Sequence, residues 1–315
     1  MRIAHFSDLH LLATDGVRLL DLVNKRWIGA LNLLANRGRH HQPEIFEAMI
    51  EDINQQDLDH LICTGDITNL ALEQEFRYAQ ELFARFKLGA DQISVIPGNH
   101  DAYVQKGIEL FQGYFDSYHR SDEEFAWPDG DPWPLVRVRE HVAIVGLSTS
   151  FQTPWFTAYG EVGHKQRERL RAILSDERVA GKFRIVFVHH PVVGRRAENR
   201  IRGLKDWERF GAVIRECGAE LILHGHEHRD YTSHVDGPTG QIEARCIQSG
   251  SYEADRPNRR ARYRIYNISQ VGDIPQIVGE DLRVWDPTTL AFKPEQSLDF
   301  SRRQPGSTPV AAVAP

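Results

Sequence analysis

The feature that most constrains this chain is a set of five short clusters, each placed where an apolar, strand-like run ends. They are Asp8-Leu9-His10, Gly65-Asp66, Gly98-Asn99-His100-Asp101, His189-His190-Pro191 and Gly225-His226-Glu227-His228. Loops at the carboxyl ends of neighbouring strands open on one crevice, so these distant side chains can meet there. Within Asp8-x-His10 and His226-x-His228, extended backbone turns residues i and i+2 to the same side. The glycines ahead of Asp66, Asn99 and His226 let the backbone bend sharply, so that the next side chain projects inward.

A donor set of carboxylate, amide and imidazole without thiolate suits Mn, Fe, Zn, Ni or Mg and disfavours Cu(I) or iron–sulfur chemistry. A single Asp or His at a strand end is more often a cap or turn residue than a ligand. The ordered set outweighs that reading. It also exceeds the needs of one ion, whereas two divalent ions about 3.5–4 Å apart, sharing a carboxylate and a hydroxide, would use it all. Such a pair clamps the attacking and leaving oxygens of a phosphoryl displacement.

Apolar runs at 2–6, 60–64, 92–96, 135–139, 142–147, 184–188 and 221–224 alternate with helical periodicity at 43–55, 72–86, 163–174 and 205–216, which predicts an α/β fold. Pro43 suits a first helical turn and Asn69 suits a helix cap. From residue 229 the pattern turns to strands, at 231–235, 241–248, 262–268 and 276–284, read as a mainly antiparallel part extending to 285. Residues 1–300 are expected to form one domain, and 301–315, rich in Pro, Gly and Ala, a disordered tail.

The 315 residues are 41% hydrophobic, enough for a sizeable core, and their net charge of −6 excludes a generic polyanion binder. No nucleic-acid partner is expected. Cys63, Cys217 and Cys246 fit no disulfide ladder or zinc ribbon and read as reduced thiols. With no membrane-length apolar run and no secretory stretch after Met1, a soluble cytoplasmic protein is the expectation.

Together the five clusters resemble the signature of the calcineurin-like metallophosphoesterases, over roughly residues 1–230 and the strands that follow. The resemblance implies two facing mixed β-sheets flanked by helices, a four-layer αββα sandwich with a dimetal site at one end. It implies that Asp8, His10 and His228 hold one metal, that Asn99, His189 and His226 hold the other, and that Asp66 bridges them. His100 would contact the phosphate or protonate the leaving oxygen, with Asp101 orienting it, while Asn99 and the metals hold the phosphate oxygens. The His-x-Pro pattern favours His189 over His190 as the ligand, leaving His190 as a neighbour or substrate contact. Gly65-Asp66-Ile67-Thr68-Asn69, and Asp101 after His100, depart from the protein serine/threonine phosphatases. The pattern is closer to the bacterial small-substrate branch, with its cyclic-nucleotide phosphodiesterases, glycerophosphodiesterases and UDP-diacylglucosamine pyrophosphatase.

The expected function is therefore hydrolysis of a phosphodiester or pyrophosphate bond in a small phosphoester or nucleotide-linked molecule, by in-line attack of a metal-bridging hydroxide. Two alternatives stand beside it: a UDP-diacylglucosamine-type pyrophosphatase acting at the membrane surface, and a non-catalytic metal-binding scaffold. The membrane reading rests on a helical insertion at 17–42, within which residues 17–41 are basic and amphipathic. Such a helix can touch a membrane peripherally, wall a greasy groove or pack on the core. Arg195 and Arg196, with Arg200, Arg202 and Lys205, and a second group from Arg256 to Arg264, are candidates to bind a second phosphate or head group, or to remain solvated. The loop Trp127–Trp133 reads as a base-stacking element or a lid.

Overall fold

The computed structural model describes residues 1–13 and 41–299. The helical insertion expected at 17–42 lies outside the described residues except for residues 41 and 42, as does the tail expected at 301–315. Two mixed six-stranded sheets face each other. In the first, β1 (Arg2–Phe6), β2 (His60–Cys63) and β3 (Ile93–Val95) run parallel. Beyond β1 the sheet continues antiparallel through β10 (Arg262–Val271), β11 (Ile274–Asp286) and β12 (Ala291–Asp299).

The second sheet has the order β4 (Leu135–Arg139), β5 (Val142–Gly146), β6 (Phe183–Phe187), β7 (Leu221–His224), β9 (Gln241–Cys246), β8 (Tyr231–Asp236). Strands β5, β6, β7 and β9 are parallel, with β4 and β8 antiparallel at the edges. Period-two alternation divides its side chains between two cores. Val142, Ile144, Ile185, Phe187, Leu221 and Leu223 face the first sheet. Ala143, Val145, Val186 and Ile222 face outward onto helices.

Those helices are α4 (Gly163–Leu174), which buries Leu170, Ile173 and Leu174, and α7 (Trp207–Cys217), which buries Phe210, Val213 and Ile214. Against the first sheet pack α1 (Pro43–Ile53), through Ile45, Phe46, Met49 and Ile50, and α2 (Glu73–Phe83), through Phe76, Ala79, Leu82 and Phe83. Each set recurs at i, i+3, i+4, the stripe of a helix with one buried face. Pro43 opens α1 as expected, but Asn69 does not cap α2. Glu75 does so, its carboxylate accepting the backbone N–H groups of Leu70 (2.9 Å) and Leu72 (3.1 Å).

Three elements depart from the expectation. The helix α3 (Gln105–Tyr114) buries only Gly107 and Phe111, too little to give a readable stripe. The strand β12 carries Pro294, tolerated because β12 is the edge of its sheet. The back third is also divided: β8 and β9 join the second sheet, β9 parallel to β7, and β10 then returns to pair with β1. Two short helices, α5 (Glu177–Ala180) and α6 (Gly194–Ala197), complete the described elements used below.

Candidate metal centre

The five clusters leave the carboxyl ends of β1, β2 and β3 in one sheet and of β6 and β7 in the other. Backbone bonds extend the β1–β2 pairing into the loops: Asp8 N–H donates to Gly65 O (2.9 Å), His10 N–H to Asp66 O (2.9 Å) and Leu11 N–H to Ile67 O (2.8 Å). The loops of the other sheet are joined by Gly225 N–H donating to His189 O (3.1 Å).

Convergence does not come from extended backbone, as the i, i+2 argument expected. Asp8 (φ 56°), His10 (46°), Asp66 (54°), His226 (71°) and His228 (47°) all lie in the left-handed region. Asp and His enter that region more readily than most residues, at a cost of roughly 1–2 kcal/mol each. Strain gathered on one donor set marks a place where side-chain direction outweighs backbone ease. Gly65 also has positive φ (96°), as a sharp turn requires. Gly98 and Gly225 serve close approach instead. A Cβ on Gly98 would sit 2.1 Å from Asp66 Oδ1, and one on Gly225 2.6 Å from Asp8 Oδ2.

The side chains form two donor groups that share Asp66. Asp8, His10, Asp66 and His228 each place a ligand atom within 4.8 Å of the others, and so do Asp66, His189 and His226. In the first group His10 Nε2 faces His228 Nε2 at 2.9 Å, Asp66 Oδ2 is 3.7 Å from His10 Nε2, and Asp8 Oδ1 is 3.4 Å from His228 Nε2. In the second, His189 Nε2 lies 3.4 Å from Asp66 Oδ2, 3.2 Å from Asn99 Oδ1 and 3.2 Å from His226 Nδ1. His189 donates from Nδ1 to Thr64 O (2.7 Å), so Nε2 faces the cluster and is the nitrogen that would offer a lone pair once its proton is given up. Imidazole nitrogens and carboxylate oxygens turned toward common points, with no thiolate among them, fit a pair of borderline or hard divalent cations.

Electrostatics follows the same division. Burial alone would raise the Asp66 carboxyl, but His189, His100 and His10 outweigh it and hold the group well below the usual carboxylate range. Burial works to lower His189, yet the Asp66 carboxylate reverses this and pushes the imidazole up to about 9. Burial and neighbouring imidazoles hold His10 and His226 well below the usual histidine range.

Several expected roles change. Asp101 does not orient His100. Its buried carboxylate accepts the N–H groups of Gly98 (2.8 Å), Thr68 (2.8 Å) and Ile67 (3.2 Å) and the Thr68 hydroxyl (2.9 Å), clasping two ligand loops together. Burial and the nearby Asp66 charge push that carboxyl up to about 6. His100 is oriented by the Asn69 carbonyl, 2.7 Å from Nδ1, while its N–H donates to Asp66 Oδ1 (2.7 Å). His190 has both ring nitrogens engaged within the protein. It is fully buried, with Nδ1 at Thr149 Oγ1 (2.8 Å) and Nε2 at the Ala158 carbonyl (3.1 Å). The Trp127–Trp133 loop is tied to α4 by Asp129 and Asp131, which pair with Lys165 and Arg169, and lies outside the walls of the metal-side cleft.

That cleft, about 380 Å³, is walled by Asn99, His100, His226, His228 and four arginines. Arg196 is among them and the exposed Arg195 is not. Sequence reasoning overlooked His41, whose ring lies 4.6 Å from that of His10 and which forms a further three-imidazole group with His10 and His228. The Ser251 hydroxyl holds His41 Nδ1 at 2.9 Å, and Ser249 donates to Asp8 O (2.6 Å), so the loop after β9 braces the first cluster. Isolated Ser and His residues carry no local signal of such contacts.

Residues 1–230 match the family model described as calcineurin-like phosphoesterase. No curated protein matches the chain. Among solved structures, the fold is similar to a dimetal phosphatase from Danio rerio, at 14% identity and TM-score 0.54, covering 89% of this chain and 94% of that one. It is also similar to a purple acid phosphatase from yellow lupin seeds (12%, TM-score 0.53, 100% and 57%). A third likeness is to the NAD nucleotidase of Haemophilus influenzae (11%, TM-score 0.51, 93% and 53%).

Proposed function

Because the chain belongs to the calcineurin-like phosphoesterase family, we propose that it is a dinuclear-metal phosphohydrolase cleaving a phosphodiester or pyrophosphate bond in a small molecule. The observation that carries this reading is one buried carboxylate, Asp66, common to two groups of ligand atoms. Asp8, His10 and His228 would hold one ion with it, and Asn99, His189 and His226 the other. Two such ions, when bound, would supply Lewis acidity to the phosphate and an activated water.

The protein's own part is to orient and to move a proton. Asn99 offers its amide to a phosphate oxygen at the cleft wall. His100, with Nδ1 committed to the Asn69 carbonyl, turns its other nitrogen toward the departing oxygen as general acid. The αL loops and the Asp101 clasp keep these groups from rearranging as charge develops, which is where preorganisation lowers a barrier.

The lipid-linked alternative rests on residues 17–41, which lie largely outside the described residues, and no helix among the described residues is long and apolar enough to cross a membrane. The scaffold alternative gains no support from a site where every expected donor is present. Hydrolysis of bis(p-nitrophenyl) phosphate with Mn(II) tests the reading. Asp66→Ala should lower the rate by about 10³-fold or more, and chelation should abolish turnover until Mn(II) is returned. Equal rates for the wild-type and Asp66→Ala proteins would reject the mechanism.

A further inference from the structure

The cleft beside the metal donors is walled by Arg196, Arg202, Arg229 and Arg259. In a chain of net charge −6, four guanidinium groups on one cleft are a local arrangement. Arg196 is already engaged, paired with Glu227 and set over the Tyr231 ring at 4.4 Å. No carboxylate among the described residues pairs with Arg202, Arg229 or Arg259; Arg259 has only the Tyr252 ring, 5.7 Å away. Arginines just outside the cleft behave differently. Arg262 has Asp230 (3.5 Å) and Glu295 (3.4 Å), and Arg264 has Asp230 (2.9 Å) and Glu280 (2.9 Å).

Glu227, the acid on this side of the cleft, is taken up by Arg196, so among the described residues Arg202, Arg229 and Arg259 stay without an acid while Arg262 and Arg264 are neutralised. A simple phosphodiester brings one anionic group, which the metal donors claim, and leaves this wall unused. We propose that Arg202, Arg229 and Arg259 form a subsite for a second phosphate, so that the substrate class is a diphosphate-bridged molecule. This inference rests on the hydrolase reading above and narrows it to the pyrophosphate bond. Guanidinium forks match phosphate oxygens bidentately. Arg196, Arg229 and Arg259 also line an adjoining cavity of about 570 Å³, which gives room for the remainder of the molecule.

In the reaction, a water oxygen bonds to the phosphorus at the metal donors and the P–O bond to the bridging oxygen breaks. The bridging oxygen leaves with the second phosphate. The two hydrogens of the water pass to the two phosphate products or to solvent. Charge therefore grows on the leaving phosphate, where the three arginines stand.

The test compares UDP-glucose and ADP-glucose with the p-nitrophenyl ester of thymidine monophosphate, a nucleotide diester lacking the second phosphate. The full-length protein with Mn(II) and its Arg202→Gln/Arg229→Gln/Arg259→Gln variant are assayed on all three. Wild-type kcat/KM should be higher on at least one diphosphate, and the variant should lose tenfold or more there but less than twofold on the diester. The corresponding Lys variant should recover part of the loss, because charge survives without the fork. Equal losses on both substrate classes, or none on the diphosphates, would overturn the subsite. Turnover of the diester alone overturns this inference and leaves the hydrolase reading intact, whereas no turnover of any substrate by the wild-type protein overturns both.

Discussion

The two walls of the cleft are built by opposite means. On the metal side the donors are buried or half-buried, five of them stand on left-handed backbone, and glycine packs directly against their carboxylates. On the arginine side the groups are long side chains on exposed or half-exposed positions, sorted by which of them meet an acid. Backbone geometry sets the first wall and side-chain pairing sets the second. Chemistry shared by many phosphoesters fits a rigid frame, while selectivity for one substrate fits a surface that single substitutions can retune.

The largest effect expected from a change that removes no donor is at Gly98. Gly98→Ala would force Asp66 Oδ1 away from a Cβ 2.1 Å distant, and a displacement of about 1 Å at a reacting centre costs roughly 100-fold. The rate on bis(p-nitrophenyl) phosphate should fall by about that much, and arginine-wall substitutions should not reproduce it on the same diester. A variant with a wild-type rate would show that the rigid frame is softer than its geometry implies.

A smaller effect separates the walls by pH. His189, pushed up to about 9 by Asp66, carries a proton below that pH before metal arrives, and a ligand must give it up. Apparent Mn(II) affinity should therefore rise with pH, by up to about tenfold per unit for each proton displaced, and flatten above about 9. Calorimetry in buffers of different ionisation enthalpy would count the protons. Zero proton release at neutral pH would contradict the assignment of His189 as a ligand.

The smallest effect on rate belongs to Asp101. Asp101→Asn sets an amide against backbone N–H donors and should cost about 1–3 kcal/mol of stability, visible as a lower melting temperature. Since His100 is oriented by Asn69 O, the pH profile of kcat should keep its shape. A displaced profile would restore Asp101 as the partner of His100.

These contrasts also explain what the sequence reveals. The metal wall was legible because each cluster keeps its turn residue and its donors contiguous, and an ordered set of such clusters has few other uses. The strands and α1, α2, α4 and α7 were legible from their apolar periods, whereas α3, with only Gly107 and Phe111 buried, and β12, interrupted by Pro294, were not. Left-handed φ at Asp8 or His226 has no local mark beyond residue type. Partnerships made by packing were hidden as well: His41 with His10, Asn69 O with His100, and the loop after β9 with Asp8. The two basic clusters stood out, but which arginines stay without an acid depends on Asp230 and Glu280, which reach them only in the folded chain.

The pairing of β1 with β10, Arg2 opposite Asn267, ties the earliest strand to one of the latest. The strand that leads into Asp8 has β2 on one flank and waits for β10 on the other. A ribosome must therefore release the chain through β10 before that flank is covered. Shortening from the carboxyl end past Arg262 would uncover it again, although every donor residue lies upstream of the cut.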